Sequence, residues 1–207
     1  MASSRGPAPR GGAPDVPSDP FDLWIFDADG TLRRTTVPGQ PCPRRDGEWE
    51  LLPGVRERLA GIAGSREGPP RFGIASNQDQ VGYGLFSEAS ARELLRALAR
   101  AALGFEPPPE AIRLCPHRPE DACDCRKPKP GMLREIMRYY GVGPDRTVFV
   151  GDSDDDRRAA LEAGVAFLPA GEWLNSTVEP SGRRSRRTPP RVSADSYDAG
   201  ACRTTRE

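Results

Sequence analysis

The apolar run from Leu23 to Phe26 stops abruptly at two acidic residues, Asp27 and Asp29. Its aromatic and branched side chains predict a buried strand. Ligand sites in open α/β sheets lie at the carboxyl ends of strands, so both carboxylates are expected to face a crevice. Two neighbouring acids repel each other unless a cation neutralises them, and we expect Mg²⁺ to do so. Alternatively, Asp27 to Gly30 is only a turn, since Asp and Gly are frequent turn residues.

Segments with strand and helix character alternate after this run. The alternation predicts a parallel sheet that helices cover on both faces. Gly and Pro residues and polar caps mark the ends of the elements. The predicted strands cover residues 71–76, 112–115, 147–150 and 165–168, and the predicted helices cover 55–63, 87–100, 131–140 and 154–163.

Residues 33–49 interrupt the alternation with several prolines and glycines. Their composition predicts a long loop that leaves the carboxyl end of the sheet and covers the site. Cys42 lies within this loop, between two prolines, and we expect a solvent-exposed or loop-packed thiol there rather than a metal ligand.

The 207 residues leave room for one ordinary domain with tails. Pro, Gly and small polar residues gather at the two ends, so residues 1–20 and 175–207 are predicted to be disordered and residues 21–174 to form the domain. The basic run 183–187 indicates a solvated linker or a contact with an anionic partner. Thirty basic and thirty acidic residues cancel, so no overall charge favours nucleic acid.

No apolar run approaches the length of a membrane span, and the N-terminus lacks the apolar core of a secretory signal. We therefore expect a soluble, cytoplasmic protein with a small-molecule partner and neither a membrane nor a nucleic acid as partner. We also expect a monomer.

Four metal-binding side chains lie close together, as two pairs with one intervening residue each: Cys115, His117, Cys123 and Cys125. Three thiolates and one imidazole match a closed tetrahedral zinc site. Closed coordination has a structural role, which here is to fix the loop that leads into Arg126 and Lys127. The alternatives are reduced cysteines that cluster without a metal, or a redox pair of Cys123 and Cys125.

Polar residues also follow the other predicted strands. Ser76 and Asn77 are typical of a helix cap or turn, or of donors to phosphoryl oxygens. Asp152 ends an apolar strand, which the dipole of the next helix explains, but it also lies where a cation at Asp27 needs another ligand. Lys127 precedes a predicted helix, where a basic residue offsets phosphate charge unless it belongs only to a basic surface.

In their order along the chain, these motifs resemble those of the haloacid dehalogenase (HAD) superfamily of phosphotransferases, in its HAD-IIIA branch. That branch contains heptose bisphosphate phosphatases and histidinol-phosphate phosphatases. The resemblance implies an α/β, Rossmann-like three-layer fold with a central parallel sheet, no large cap domain and a zinc-binding loop. The matching motifs are Asp27-Ala28-Asp29-Gly30-Thr31, Ser76-Asn77-Gln78, Cys115-Pro116-His117, Cys123-Asp124-Cys125-Arg126-Lys127-Pro128 and Gly151-Asp152.

The resemblance also implies residue roles and two cofactors, Mg²⁺ and Zn²⁺. Asp27 is the nucleophile that becomes an aspartyl-phosphate, and Asp29 is the general acid and base. Lys127 completes the catalytic set, and Arg126 holds a second charged group of the substrate. The implied substrate-binding residues are Ser76, Asn77, Gln78, Arg126 and Lys127; the magnesium ligands are Asp27, Asp29 through its carbonyl, and Asp152; the zinc ligands are Cys115, His117, Cys123 and Cys125; and the supporting residues are Asp156 and Ser153.

The motifs leave the substrate open. Ala28 replaces an arginine that is usual in this branch, so the contacts of that arginine are missing. The motif Asn77-Gln78-Asp79 is more similar to the histidinol-phosphate enzymes, and Pro130-Gly131-Met132 to the heptose enzymes. We expect a phosphoric monoester hydrolase that acts on a small sugar phosphate such as D-glycero-D-manno-heptose 1,7-bisphosphate, with histidinol phosphate as the alternative.

Two other functions stay open. One is a nucleic-acid 3′-phosphatase, although no basic groove or stacking aromatic residues are evident near the motifs. The other is a non-catalytic, zinc-stabilised interaction module, which would be expected to have lost part of the catalytic set. All four of its members are present: Asp27, Asp29, Lys127 and Asp152.

Overall fold

The computed structural model describes residues 21–64 and 71–175. The strands are β1 (Leu23–Phe26), β2 (Arg33–Thr35), β3 (Trp49–Leu51), β4 (Arg71–Asn77), β5 (Ile112–Cys115), β6 (Thr147–Gly151) and β7 (Ala166–Pro169). The helices are α1 (Val55–Gly64), α2 (Glu88–Leu103), α3 (Gly131–Tyr140), α4 (Asp154–Ala163) and α5 (Ala170–Asn175). Five strands form one parallel sheet in the order β5-β4-β1-β6-β7. The predicted α/β fold with a central parallel sheet is confirmed.

The side chains of β1 alternate between two apolar clusters, one on each face of the sheet. Trp24 and Phe26 pack with α1, α2 and α5, whereas Leu23 and Ile25 pack with α3 and α4. Successive side chains of a strand point to opposite faces. A central strand covered on both faces therefore needs the unbroken apolar run that the sequence shows.

Helix α2 shows how local sequence sets the ends of an element. The Ser87 hydroxyl accepts a hydrogen bond from the N–H of Ser90 at 3.1 Å, which caps the first turn. The helix ends at Leu103 rather than at the predicted Arg100, because Ala102 continues its buried face.

Residues 33–49 are not the continuous loop that their prolines and glycines predict. Strands β2 and β3 pair antiparallel and form a separate hairpin. Each strand has only three residues, which is too short for a periodic pattern to emerge from the sequence. Cys42, between the two strands, is buried and accepts a hydrogen bond from Gln80 at 3.0 Å, so it is a loop-packed thiol.

Helix α5 is missing from the sequence-based prediction. It has six residues, of which Ala170 and Trp173 are buried, and so is too short to show helical periodicity. Asn175 ends this helix instead of beginning the predicted tail. The remainder of both predicted tails, including the basic run 183–187, lies outside the described residues. Within the part of the chain that the structure describes, no helix combines the length and apolar character needed to cross a bilayer.

Trp173 joins α5 to the core, and its removal tests this part of the fold. The side chain is fully buried and its ring centroid lies 5.1 Å from that of Phe26. We expect Trp173→Ala to lower the free energy of unfolding by about 3–5 kcal/mol in urea denaturation, because it leaves a large cavity. Leu161→Ala, at a side chain that is 79% exposed, should change it by less than about 0.5 kcal/mol. Equal stability of the two variants would show that α5 is not part of the core.

Candidate active site

The carboxyl ends of the adjacent strands β4, β1 and β6 meet at one edge of the sheet. Asp27 directly follows β1, and its N–H donates to the carbonyl of Val150 at 2.9 Å, which extends the pairing with β6. Asp152 follows β6, and Ser76 and Asn77 end β4. The structure thus brings these distant parts of the sequence together.

Lys127 lies at the centre of this edge. Its ammonium donates to Asp27 Oδ1 at 2.5 Å and to the carbonyl of Ala75 at 2.9 Å, and it forms an ion pair with Asp156 Oδ1 at 2.7 Å. Lys127, Asp27 and Asp156 are all buried. The ammonium thus contacts two carboxylates and one carbonyl oxygen. Because a buried charge is tolerated only when it is paired, these contacts define a fixed polar centre.

The electrostatics of this centre show an excess of negative charge. Burial raises the pKa of Asp27 to about 7, an effect that Lys127 opposes and Asp156 reinforces. Burial alone would lower the pKa of Lys127, but the two carboxylates outweigh it and raise that pKa, so the ammonium stays charged. Burial and the charge of Asp156 also raise the pKa of Asp152. A bound cation would favour the charged forms of these carboxylates.

Three carboxylates provide a set of oxygen atoms suited to Mg²⁺. Oxygens of Asp27, Asp152 and Asp156 lie within 4.8 Å of one another. Asp156 already forms an ion pair with Lys127 through Oδ1 and accepts from the N–H and hydroxyl of Ser153 through Oδ2. Asp27 and Asp152 are therefore the carboxylates best placed to bind a hard divalent cation.

Gly30 lets the Asp152 carboxylate approach the turn after β1. Its φ is +89°, and a Cβ at this position would overlap that carboxylate. Thr31 donates its hydroxyl to Asp152 Oδ1 at 3.4 Å. The carboxylate of Asp152, which follows β6, thus lies against the turn that begins at Asp27.

Three N–H groups hold the side chain of Asp29. Arg33 donates through Nε to Oδ1 at 2.8 Å and through Nη2 to Oδ2 at 3.2 Å, and Gln78 donates to Oδ2 at 2.9 Å. No motif in the sequence includes Arg33, although its position four residues after an acid is a usable signal. Because these donors occupy the carboxylate, the group of Asp29 that is left to bind a cation is its backbone carbonyl.

The residues at the end of β4 differ in what their side chains do. Gln78 also donates to the Ser76 hydroxyl oxygen at 2.9 Å, which leaves the hydroxyl hydrogen of Ser76 to donate to a ligand. Asn77 exchanges two hydrogen bonds of 3.1 Å with the backbone of Lys127. Asn77 therefore positions Lys127, whereas the Ser76 hydroxyl keeps its own hydrogen available for a ligand.

Arg126 is paired within the protein. Its Nη2 donates to Asp79 Oδ2 at 3.0 Å, and its Nη1 donates to the carbonyl of His117 at 3.3 Å. It thus links the segment after β4 to the loop after β5. A second charged group of a substrate, which Arg126 is predicted to bind, would have to compete with Asp79.

The predicted zinc ligands form one cluster, and all their ligand atoms lie within 4.8 Å of one another. The Sγ of Cys123 lies 3.5 Å from that of Cys115 and 3.4 Å from that of Cys125. The Nδ1 of His117 lies 3.3 Å from the Sγ of Cys125 and 3.6 Å from that of Cys115. Tetrahedral zinc with bonds of about 2.3 Å separates its sulfur ligands by about 3.8 Å, so the cluster fits a closed zinc site.

The thiols of this cluster differ in acidity. Burial raises the pKa values of Cys115 and Cys125. Burial also opposes ionisation of Cys123, but hydrogen bonds from the Arg126 backbone and the neighbouring thiols lower its pKa to about 7. Since thiolates are the metal-binding form, Cys123 is the ligand that loses its proton most readily.

Known proteins share this fold and are similar to this chain in sequence. The HAD-hydrolase-like family model matches residues 124–169. A D-glycero-beta-D-manno-heptose-1,7-bisphosphate 7-phosphatase of Bordetella bronchiseptica is 37% identical over 155 residues, which are 75% of this chain and 80% of that protein. The Pseudomonas putida enzyme of the same name is 39% identical over 144 residues, which are 69% of this chain and 78% of that protein.

A comparison with solved structures also finds a heptose bisphosphate phosphatase. The crystal structure of D,D-heptose 1,7-bisphosphate phosphatase from B. bronchiseptica, complexed with magnesium and phosphate, has a TM-score of 0.61 and 32% identity to this chain. The match covers 79% of this chain and 91% of that one. The chain therefore belongs to the HAD-like phosphatase family that includes the D-glycero-D-manno-heptose 1,7-bisphosphate 7-phosphatases.

Proposed function

We propose that this phosphatase is Mg²⁺-dependent and hydrolyses a small phosphorylated sugar through an aspartyl-phosphate on Asp27. The observation that carries the proposal is the buried contact between Asp27 and Lys127 at 2.5 Å. It presents a carboxylate nucleophile beside a fixed positive charge, at the edge where Asp152 also lies. A charge placed in advance near an incoming phosphoryl group lowers the barrier to its transfer.

In the first half-reaction, an oxygen of Asp27 attacks phosphorus and the bond from phosphorus to the substrate oxygen breaks. Asp29 gives its proton to the departing oxygen, so the alcohol leaves neutral. The products of this step are the alcohol, which for a bisphosphate keeps its second phosphate, and a phosphoryl group on Asp27. Lys127 and the Ser76 hydroxyl stabilise the charge on the phosphoryl oxygens.

In the second half-reaction, a water oxygen attacks the same phosphorus and the bond to Asp27 breaks. Asp29 now accepts a proton from that water, which restores its first state and releases inorganic phosphate. One carboxyl group therefore serves as acid and then as base. Throughout, Asn77 keeps the backbone of Lys127 in place.

Two metals complete the proposal, each with its own residues. Asp27, the Asp29 carbonyl and Asp152 would hold Mg²⁺, which neutralises phosphoryl charge when bound. The cysteine cluster would hold Zn²⁺ with no coordination position left for water, so zinc acts in structure rather than in chemistry. Support for magnesium is the magnesium in the related crystal structure.

The sugar is a heptose bisphosphate in our proposal, because that is the substrate named for the relatives. A second candidate, histidinol phosphate, is favoured by one contact. Asp79 neutralises Arg126 at 3.0 Å and its side chain is 33% exposed. A partly exposed carboxylate at this position would attract the amine of histidinol phosphate. It would repel the second phosphate of a bisphosphate.

Phosphate release from the two candidate substrates, with Mg²⁺, tests the proposal directly. We expect turnover of D-glycero-D-manno-heptose 1,7-bisphosphate in at least one anomeric form, with release of a single phosphate. Asp27→Asn keeps the shape of the nucleophile but removes its charge, so turnover should fall by about 10³-fold or more. Activity of Asp27→Asn near the parent level would remove Asp27 from this role, and turnover of histidinol phosphate alone would replace the substrate.

Gly30→Ala tests the magnesium ligands, because a Cβ there overlaps the Asp152 carboxylate. We expect the Mg²⁺ concentration for half-maximal activity to rise by at least about tenfold, since Mg²⁺ tolerates little distortion of its ligands. Gly54→Ala is the matched control, because Gly54 has a similar φ of +85° but open space around it. If the two variants gave the same Mg²⁺ titration, displacement of the Asp152 carboxylate would not affect Mg²⁺ binding, and Asp152 would be excluded as a ligand.

Cys123→Ser tests the zinc site. The variant should lose zinc in elemental analysis, melt at a lower temperature and bind substrate more weakly, because the loop that presents Lys127 loses its anchor. Its remaining turnover should still require Mg²⁺ and Asp27. Cys42→Ser, at a buried cysteine outside the cluster, should keep its zinc. A parent protein that is stable and active without zinc would contradict the site, and activity restored by zinc without Mg²⁺ would reverse the two metal roles.

A further inference from the structure

Arg33 is a fully buried arginine beside the proposed acid and base. Its side chain has 0% exposure. Nε and Nη2 form the two-bonded contact with Asp29, and Nη1 donates to the carbonyl of Leu94 at 3.4 Å. Its guanidinium carbon also lies 5.9 Å from the ring centroid of Trp49. Helix α2, strand β3 and Asp29 therefore enclose it on three sides.

This enclosure makes the arrangement rigid. A guanidinium is a planar fork of donors, and a carboxylate bound by two of them has a defined plane as well as a defined position. Removing Asp29 from reach would leave a buried cation without its anion, which is strongly unfavourable. Arg33 therefore opposes rotation of the Asp29 side chain away from its observed position.

Gln78 completes the set of donors on Asp29. It contributes a third N–H at 2.9 Å and is 1% exposed. Both oxygens of Asp29 thus act as acceptors in this arrangement. That is the hydrogen-bonding state in which a carboxylate can receive a proton from water.

We infer that Arg33 is a positioning residue that holds the Asp29 carboxylate ready to accept the water proton in the second half-reaction. The inference rests on the proposed function, since it takes Asp29 as the acid and base. Arg33 touches neither phosphorus nor water in this mechanism and acts only through Asp29. Its loss should therefore slow each step that uses Asp29, and with a leaving group that needs no proton the only such step is breakdown of the aspartyl-phosphate.

An aryl phosphate separates the two half-reactions. The leaving group of p-nitrophenyl phosphate departs as a stable anion and needs no proton from Asp29. Formation of the covalent intermediate then stays fast when Asp29 is misplaced, while its hydrolysis becomes slow. Under these conditions the intermediate accumulates, and p-nitrophenolate appears in a burst before the steady state.

Arg33→Met is the main variant, because it keeps a long side chain and removes the charge and the fork. With p-nitrophenyl phosphate we expect kcat to fall by about 10²-fold, the size of a general-base effect, and a burst close to one p-nitrophenolate per protein. Mass spectrometry after an acid quench should find the phosphate on Asp27. Arg34→Met is the matched control, because the neighbouring Arg34 pairs with Glu50 at an exposed position. It should behave like the parent.

Arg33→Lys decides the question if Arg33→Met does not fold. Lysine keeps the positive charge but offers no planar fork. We expect an intermediate loss of kcat with a detectable burst. A parent-like kcat without a burst in Arg33→Lys would overturn the inference, because the fork would then be unnecessary.

The control Asp29→Asn separates failure of this inference from failure of the proposed function. If Asp29→Asn traps phosphate on Asp27 but folded Arg33→Met loses activity without a burst, Arg33 has only a structural role and the inference is wrong. If no variant or parent ever carries covalent phosphate, the proposed mechanism itself is wrong. In the double variant of Asp29→Asn and Arg33→Met, we expect kcat to equal that of Asp29→Asn alone, since both changes remove the same function.

Discussion

The rest of the site depends on one buried ammonium, that of Lys127, and on the three groups that it contacts. Asp27 belongs to the end of β1, Ala75 to β4 and Asp156 to α4. One side chain therefore joins the proposed nucleophile, the neighbouring strand and the helix that follows β6. Because both carboxylates and the ammonium are buried, loss of the ammonium would leave two buried anions without a cation. The apolar clusters on both faces of the sheet fix the strands and the helix that carry these three groups. Contact with Lys127 then sets the distances between the groups.

The need to hold Lys127 at this point explains why the cluster of three cysteines and one histidine precedes it in the sequence. Lys127 lies on a connection rather than on a strand, so its position depends on what holds that connection. Asn77 binds its backbone from one side. On the other side the loop packs so closely against α3 that a Cβ at Gly131 would meet the carbonyl oxygen of Asp124. The four-residue cluster lies in this loop just before Arg126, so the zinc that we propose there would hold the loop and take no part in the chemistry.

Patterns that depend on neighbours in sequence were sufficient to predict much of this arrangement. The apolar run before Asp27, the strand before Asp152 and the acidic start of α4 each carry a local signal, and parallel strands place their ends together. The hairpin of β2 and β3 and helix α5 are too short to show a period. The pairing of Arg126 with Asp79 could not be predicted, since it depends on how loops fold back in space. The pairing of Arg33 with Asp29 has only its spacing of four residues as a signal. Arg33 begins a segment whose Pro and Gly content predicts a loop, so its burial was not expected.

The charges of the described site show what kind of cofactor it needs. Asp29 is paired with Arg33, and Asp27 and Asp156 share Lys127. Among the ion pairs of residues 21–64 and 71–175, none involves Asp152, although Gly30 allows its carboxylate to come close to the turn after Asp27. Four carboxylates against two cations leave a net charge of −2, although the residue Asp152 is exposed, and burial raises the pKa of Asp27 to about 7. A divalent cation would balance that charge and lower the pKa of Asp27, which would keep the proposed nucleophile ionised. A third protein cation at this edge would be a poor substitute, because its single charge would leave a net charge of −1.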